Sequence, residues 1–216
     1  MVRLSLLTTF LLATLVAPGQ DSFIRSSTGF VRCNINSRAD AQYKYKSGIS
    51  TLITFNRKLN DQIYWGLGLS YQNLGFRIEL VMVEEIGGQL NPIGVSLENW
   101  NFEYLSIPVY LGYQTGSRYK FIAELGFVPG VLTRSVLTVP VPGGSTDQDV
   151  TEFIDRLNLP ISGVLGVRRE LNELYSFDLT ISYQQGINNI EFSNLSERNK
   201  NQHHAFIFSL GMAYKF

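Results

Sequence analysis

The chain carries a single cysteine, Cys33, in 216 residues, so no disulfide within the chain can staple the fold. It carries two histidines, His203 and His204, which excludes a multi-histidine metal centre and leaves little for histidine-based catalysis. Charge is scarce: 17% of residues are Asp, Glu, Lys or Arg, against roughly 25% in an average soluble domain. The 18 basic and 18 acidic residues balance to +0, which argues against a nucleic-acid partner, since such proteins show a basic excess. Beyond the N-terminus no run of about 20 apolar residues occurs, so no helix is expected to span a bilayer. What is abundant is apolar and aromatic: 44% hydrophobic residues, with 14 Phe, 11 Tyr and only 2 Trp, alongside 19 Gly. A mean hydropathy of +0.02 is too high for a disordered chain.

Residues 1–20 open with Met-Val-Arg and run from Leu4 to Ala17 without a charge, ending in Pro18, Gly19 and Gln20. A basic start, a short apolar core and a small or polar exit are the parts of a secretory signal peptide. Cleavage after Ala17 or after Gln20 fits equally, and the mature chain, 21–216, is expected to leave the cytoplasm as one domain.

The rest alternates with period two, the signal of a half-buried strand. At the C-terminus Phe206, Phe208, Leu210, Met212, Tyr214 and Phe216 share one face, with Ala205, Ile207, Ser209, Gly211, Ala213 and Lys215 on the other, small or polar except for Ile207. Tyr175, Phe177, Leu179, Ile181 and Tyr183 alternate in the same way with Ser176, Asp178, Thr180, Ser182 and Gln184. The pattern recurs over 63–72, 105–113, 119–131 and 157–168, and more weakly over 28–37 and 48–58. Eight strands are expected, with helical turns at most around 81–86 and 149–156. The connections near 59–61, 115–117 and 170–173 are short, whereas those near 38–47, 78–100, 135–156 and 188–202 are long. Strict alternation of short and long connections is the mark of a bacterial outer-membrane barrel, with short periplasmic turns and long external loops.

The faces agree with that reading. The non-apolar face is Gly, Ser, Thr, Asn and Ala, unlike a soluble exterior rich in Lys and Glu. Small residues suit the interior of an eight-stranded barrel, just wide enough to be filled by side chains. Aromatics at the strand ends, such as Tyr175 and Tyr183 or Trp65 and Tyr71, fit two interfacial girdles. In lipid the sheet must close on itself, so the last strand pairs with the first. The expectation is an all-β, eight-stranded antiparallel transmembrane β-barrel in contact with outer-membrane lipid.

The run Tyr104-Leu105-Ser106-Ile107-Pro108-Val109-Tyr110-Leu111-Gly112-Tyr113 resembles the fourth-strand pattern of the PorT-like, porin-family outer-membrane barrels of Bacteroidetes-type bacteria. Ile181 to Ile190, with Tyr183, Gly186 and Asn189, resembles the seventh strand of that family. The first strand departs from it, since Phe30-Val31-Arg32-Cys33-Asn34 stands in place of a glycine-rich start. The terminal Phe216 resembles the signal read by the barrel-assembly machinery during insertion. The resemblance implies an outer-membrane location and carries no catalytic residue over.

Inward-pointing charges are expected at Arg32, Lys120, Glu124, Arg168 and Asp178, with Lys215 as a sixth. Lone buried charges are costly, so they should pair: Glu124 with Arg168, and Asp178 with Arg168 or Lys215. Cys33 is expected on the lipid-facing side of the first strand. Ser193, Ser196, Glu197, Arg198 and Lys200, ahead of His203 and His204, can be drawn into a rim Ser/His/Glu set, although loops are polar without catalysis. Asp147, Asp149, Glu152 and Asp155 lie close together, but their spacing is not that of a calcium loop. No cofactor or metal is expected. The role expected is a structural or binding scaffold that presents four external loops, with a protein partner there. The alternatives are a narrow passive channel or, less favoured, a rim hydrolase of lipids or peptides.

Overall fold

The computed structural model describes residues 22–36, 42–86, 89–141, 143–188 and 201–216. The segment 1–20 lies outside them. Twelve strands and one 3-10 turn make up the described chain: β1 (Ser22–Asn36), β2 (Gln42–Lys58), β3 (Ile63–Ile86), β4 (Gln89–Ser106), β5 (Val109–Gly116), β6 (Tyr119–Phe127), β7 (Gly130–Val141), β8 (Gly144–Asp149), the turn Thr151–Phe153, β9 (Leu157–Asn158), β10 (Pro160–Glu170), β11 (Tyr175–Gly186) and β12 (Gln202–Lys215). Residues 81–86, expected as a helical turn, belong to β3. The expectation near 149–156 meets the short turn Thr151–Phe153.

All strand pairings among the described residues are antiparallel, and they close a ring of eight strands, β1-β2-β3-β5-β6-β10-β11-β12 and back to β1. The closing pair runs from Phe23 opposite Lys215 to Asn36 opposite Gln202. Three of the four strands beyond eight arise where proline interrupts a long strand, and the fourth, β8, is the return arm of a hairpin with β7. Pro108 separates β4 from β5, Pro129 separates β6 from β7, and Pro160 opens β10. Proline has no N–H to give to a ladder. Its carbonyl still accepts: Gly68 N–H donates to Pro108 (3.0 Å), Ile107 N–H to Pro129 (2.8 Å) and Val128 N–H to Pro160 (3.0 Å). The sheet is therefore interrupted without being opened.

Two of the short connections share one device. Asn60 Oδ1 accepts from the N–H of Gln62 and Ile63 (2.9 and 2.7 Å), and Asn172 Oδ1 accepts from Leu174 and Tyr175 (3.0 and 2.7 Å). An asparagine side chain here replaces a backbone turn. At the other end β3 and β4 run on as one long hairpin, and β7 and β8 form a second.

Around the middle of the ring the large apolar residues face outward. Leu125, Phe121 and Leu165 are 67%, 66% and 64% exposed. Aromatics flank this belt. Tyr175 and Tyr214 meet at 5.3 Å near the short turns, and Tyr183 and Phe206 at 5.0 Å near the long loops. Eight residues separate Tyr175 from Tyr183 on β11. At ~3.3 Å per residue and a tilt of ~40° that is about 20 Å along the axis, near the height of a membrane barrel's apolar band.

Beyond the upper girdle the pattern turns inside out. Val31, Cys33, Ile35, Leu74, Phe76, Phe102, Tyr104 and Leu132 point inward and pack as one core with Ile154, Ala205 and Ile207. Arg32, Lys44, Arg77 and Arg134 face outward on the same staves. This is soluble-protein patterning on strands that are membrane-patterned lower down. It corrects the expectation for β1: Arg32 is outside and Cys33 inside. Alternation shows that two faces differ, not which of them meets lipid.

Candidate functional site: a lumen closed at two levels

The lower lumen is filled by side chains from seven strands of the ring. Arg25 on β1 makes a two-point ion pair with Glu124 on β6, at 2.6 and 2.9 Å. Arg25 also donates to the Tyr110 hydroxyl (2.8 Å), and Tyr64 donates to Glu124 (2.5 Å). Tyr110 donates in turn to Asn56 Oδ1 (2.5 Å). Beside this lattice Arg168 on β10 pairs with Asp178 on β11 through two bonds of 2.7 Å, and its guanidinium lies 4.6 Å above the Phe23 ring. Every charge in the set is buried and doubly bonded, the condition under which buried ion pairs are tolerated.

Two glycines make room for the rings. Tyr64 on β3 stands opposite Gly112 on β5, and Gly66 opposite Tyr110. A Cβ at Gly112 would lie 2.3 Å from the Tyr64 ring, and one at Gly66 2.3 Å from the Tyr110 ring. The reciprocal Gly–Tyr pairs let each ring reach across the neighbouring strand, the two rings meeting edge-on at 6.4 Å and 89°, an arrangement that also covers the glycines.

Above this floor lies a cavity of about 70 Å³ lined by Ser50, Ser70, Gln72, Ser182 and Gln184 among others. It has room for about five waters at ~15 Å³ each. The ceiling is aromatic. Phe76 stacks on Trp100 (5.9 Å) and on Phe102 (5.7 Å), and His203 meets Phe102 edge-on at 5.0 Å. Cys33 Sγ sits 3.8 Å from His203 Nδ1 within this core.

The positions read from the sequence fall as follows. Glu124, Arg168 and Asp178 lie in the floor, but Glu124 is paired with Arg25 and not with Arg168. Lys120 is at the short-turn rim, where it and Lys215 both donate to Glu170, at 2.8 and 2.5 Å. Arg32 is a correction: it lies outside, with its guanidinium 5.2 Å from the Tyr45 ring. Arg25 lies upstream of the alternation that marks the first strand in the sequence, which begins near 28, whereas β1 starts at Ser22. Carrying the alternation upstream puts Phe23, Arg25 and Ser27 on one face, and an inward Glu124 in need of a cation points the same way.

His203 is buried in the ceiling, whereas His204, its neighbour on β12, turns to the opposite, outer face and is covered there by Tyr45, whose hydroxyl lies 3.2 Å from Nε2; neither is offered at a rim. Ser193, Ser196, Glu197, Arg198 and Lys200 lie outside the described residues. In the 135–156 segment two of the four carboxylates, Asp147 and Asp149, are tied locally. Thr138 donates to Asp147 (2.7 Å), and the Thr151 hydroxyl and N–H donate to Asp149 (2.6 and 3.0 Å), which holds the Asp149 carboxyl below the usual range. Among the described residues no group of three or more His, Cys, Asp or Glu side chains is placed to hold a metal.

Comparison with solved structures finds similar folds. Neisserial surface protein A is 14% identical with a TM-score of 0.48, covering 90% of this chain and 97% of that one. OprG from Pseudomonas aeruginosa is 15% identical with a TM-score of 0.45, covering 92% and 96%. Ail, the attachment invasion locus protein of Yersinia pestis, is 16% identical with a TM-score of 0.42, covering 91% and 99%. No curated protein sequence matches the chain. A family model does, over residues 22–210. The chain belongs to the outer membrane protein beta-barrel domain family and is a protein of the outer membrane.

Proposed function

We propose that this protein is an eight-stranded transmembrane barrel, closed to diffusion, that works as a rigid scaffold presenting external hairpins. One observation carries the reading: the lumen is filled twice, by the Arg25–Glu124 and Arg168–Asp178 lattice below and by the Phe76–Trp100–Phe102 stack above. An eight-stranded ring has no room for a pore beside such fillings. The test is planar-bilayer conductance of the wild type. No steady single-channel current is expected, and steady currents would overturn the proposal.

A second reading, a narrow passive channel, draws on the polar cavity between the two fillings. It requires the floor to part, so Glu124→Ala should then raise conductance above a measurable wild-type level. The closer kinship we propose is with the PorT-like porin-family barrels. Its support is the Tyr104–Tyr113 run, whose Ile107-Pro108 step is the interruption between β4 and β5. A cleaved signal peptide over 1–20 and handover to the assembly machinery through Phe216 complete the proposal. Phe216 is exposed beside Tyr214 and Phe55. Removing Phe216 should lower the fraction of chain that reaches the outer membrane, measured by heat-modifiable gel mobility.

A further inference from the structure

Among the described residues the path of paired strands ends at β8, whose six residues, Gly144–Asp149, are all exposed. One long edge of β8 is bonded to β7, with Val136 opposite Asp149, Thr138 opposite Asp147 and Pro140 opposite Ser145. Val150 N–H donates to Ser135 O at 3.0 Å, so that pair is a hydrogen-bonded one. In an antiparallel ladder bonded and non-bonded pairs alternate. The pairs 136/149, 138/147 and 140/145 are then the non-bonded ones, as Pro140 requires, having no N–H to give. The N–H and C=O groups of Ser145, Asp147 and Asp149 therefore point away from β7, along the outer edge of the sheet.

Natural sheets blunt such edges with proline, lysine or bulges, because an open edge is a template for another strand. β8 has no proline and no lysine. Its charges are two aspartates, Asp147 and Asp149, with Glu152 and Asp155 just beyond. Two copies meeting edge to edge would set aspartate near aspartate, and like charges opposite each other destabilise a strand pair. A strand carrying lysine or arginine on alternate residues meets the same edge with opposite charges. We propose that β8 is a docking edge for an extended, basic segment of a partner protein, added to the sheet as one further antiparallel or parallel strand. The proposal rests on the scaffold reading only in that it needs this hairpin to be outside the cell. A conducting lumen would leave it intact.

The test uses the full-length protein folded into lipid vesicles and two labelled synthetic peptides, one alternating lysine and threonine, the other glutamate and threonine. Fluorescence anisotropy should show the basic peptide binding at least about tenfold more tightly than the acidic one. Hydrogen exchange at Ser145, Asp147 and Asp149 should slow on binding, while Val150, already bonded to β7, should not change. Asp147→Pro removes one outward donor and should weaken binding, with Val150 exchange as the check that the hairpin is intact. Should that variant fail to fold, the double replacement Asp147→Lys and Asp149→Lys keeps the edge and reverses the preference toward the acidic peptide. Equal binding of both peptides, unchanged exchange at the three edge residues, or no reversal in the double variant would each overturn the proposal.

Discussion

Arg25 and Glu124 stand 99 residues apart in the chain and meet in the lumen through two bonds, at 2.6 and 2.9 Å, with both side chains almost wholly buried. Removing one partner leaves the other charge without compensation. Glu124→Ala should destabilise the barrel by about 3–5 kcal/mol, read as a lower midpoint of urea unfolding in lipid vesicles. Arg25→Met combined with Glu124→Leu should cost far less than the sum of the single changes, because no orphan charge remains. Additive losses in that cycle would contradict the pairing.

The reciprocal Gly–Tyr pairs make a sharper steric prediction. Gly112→Ala sets a methyl against the Tyr64 ring, where a Cβ would lie 2.3 Å away. The ring also holds a bond to Glu124 and cannot retreat without breaking it. A loss of about 1–3 kcal/mol is expected from overpacking. Gly112→Ala together with Tyr64→Ala should recover the packing part of that loss, as the same unfolding measurement can show.

Cys33 separates the two descriptions of β1. A lipid-facing thiol would react with a membrane-soluble maleimide in the folded protein. Cys33 is buried in the aromatic core, so folded protein should resist labelling and boiled protein should label fully. Mass spectrometry of the two samples decides between them.

The height of the apolar belt can be mapped with arginine. Leu165 is 64% exposed in the middle of the belt, so Leu165→Arg should cost about 2–4 kcal/mol in lipid. Thr133 faces outward beyond the belt, where its hydroxyl donates to the Glu103 carbonyl at 2.9 Å. Thr133→Arg should cost about 0–1 kcal/mol. Equal costs at the two positions would remove the argument that the strand pattern changes sense at the membrane boundary.

Much of the fold is visible in the sequence. The alternation in 175–184 and 205–216 locates two strands, and the same two segments appear as β11 and β12. Asn60 and Asn172 mark tight turns through side-chain chemistry that needs no tertiary context. The floor of the lumen is only partly visible. Arg168 and Asp178 face each other on adjacent strands joined by a short turn, so their pairing is almost local. Arg25 and Glu124 lie on strands that are not neighbours in the ring, and only closure of the sheet brings them together across the lumen.

The sequence by itself determined that this chain is built from alternating strands joined by short and long connections. Side-chain alternation and asparagine turns depend on a few consecutive residues, so they survive without knowledge of the whole. Only the tertiary structure decided which face points where. Arg32 and Cys33 are adjacent, and alternation alone allows either to be inside. The pairing of β1 with β12 and β2, together with its height relative to the apolar belt, puts Cys33 in the core and Arg32 outside. Above the belt the outer surroundings are water, so apolar side chains turn inward. Below that boundary the surroundings are lipid, and the same physical preference turns them out.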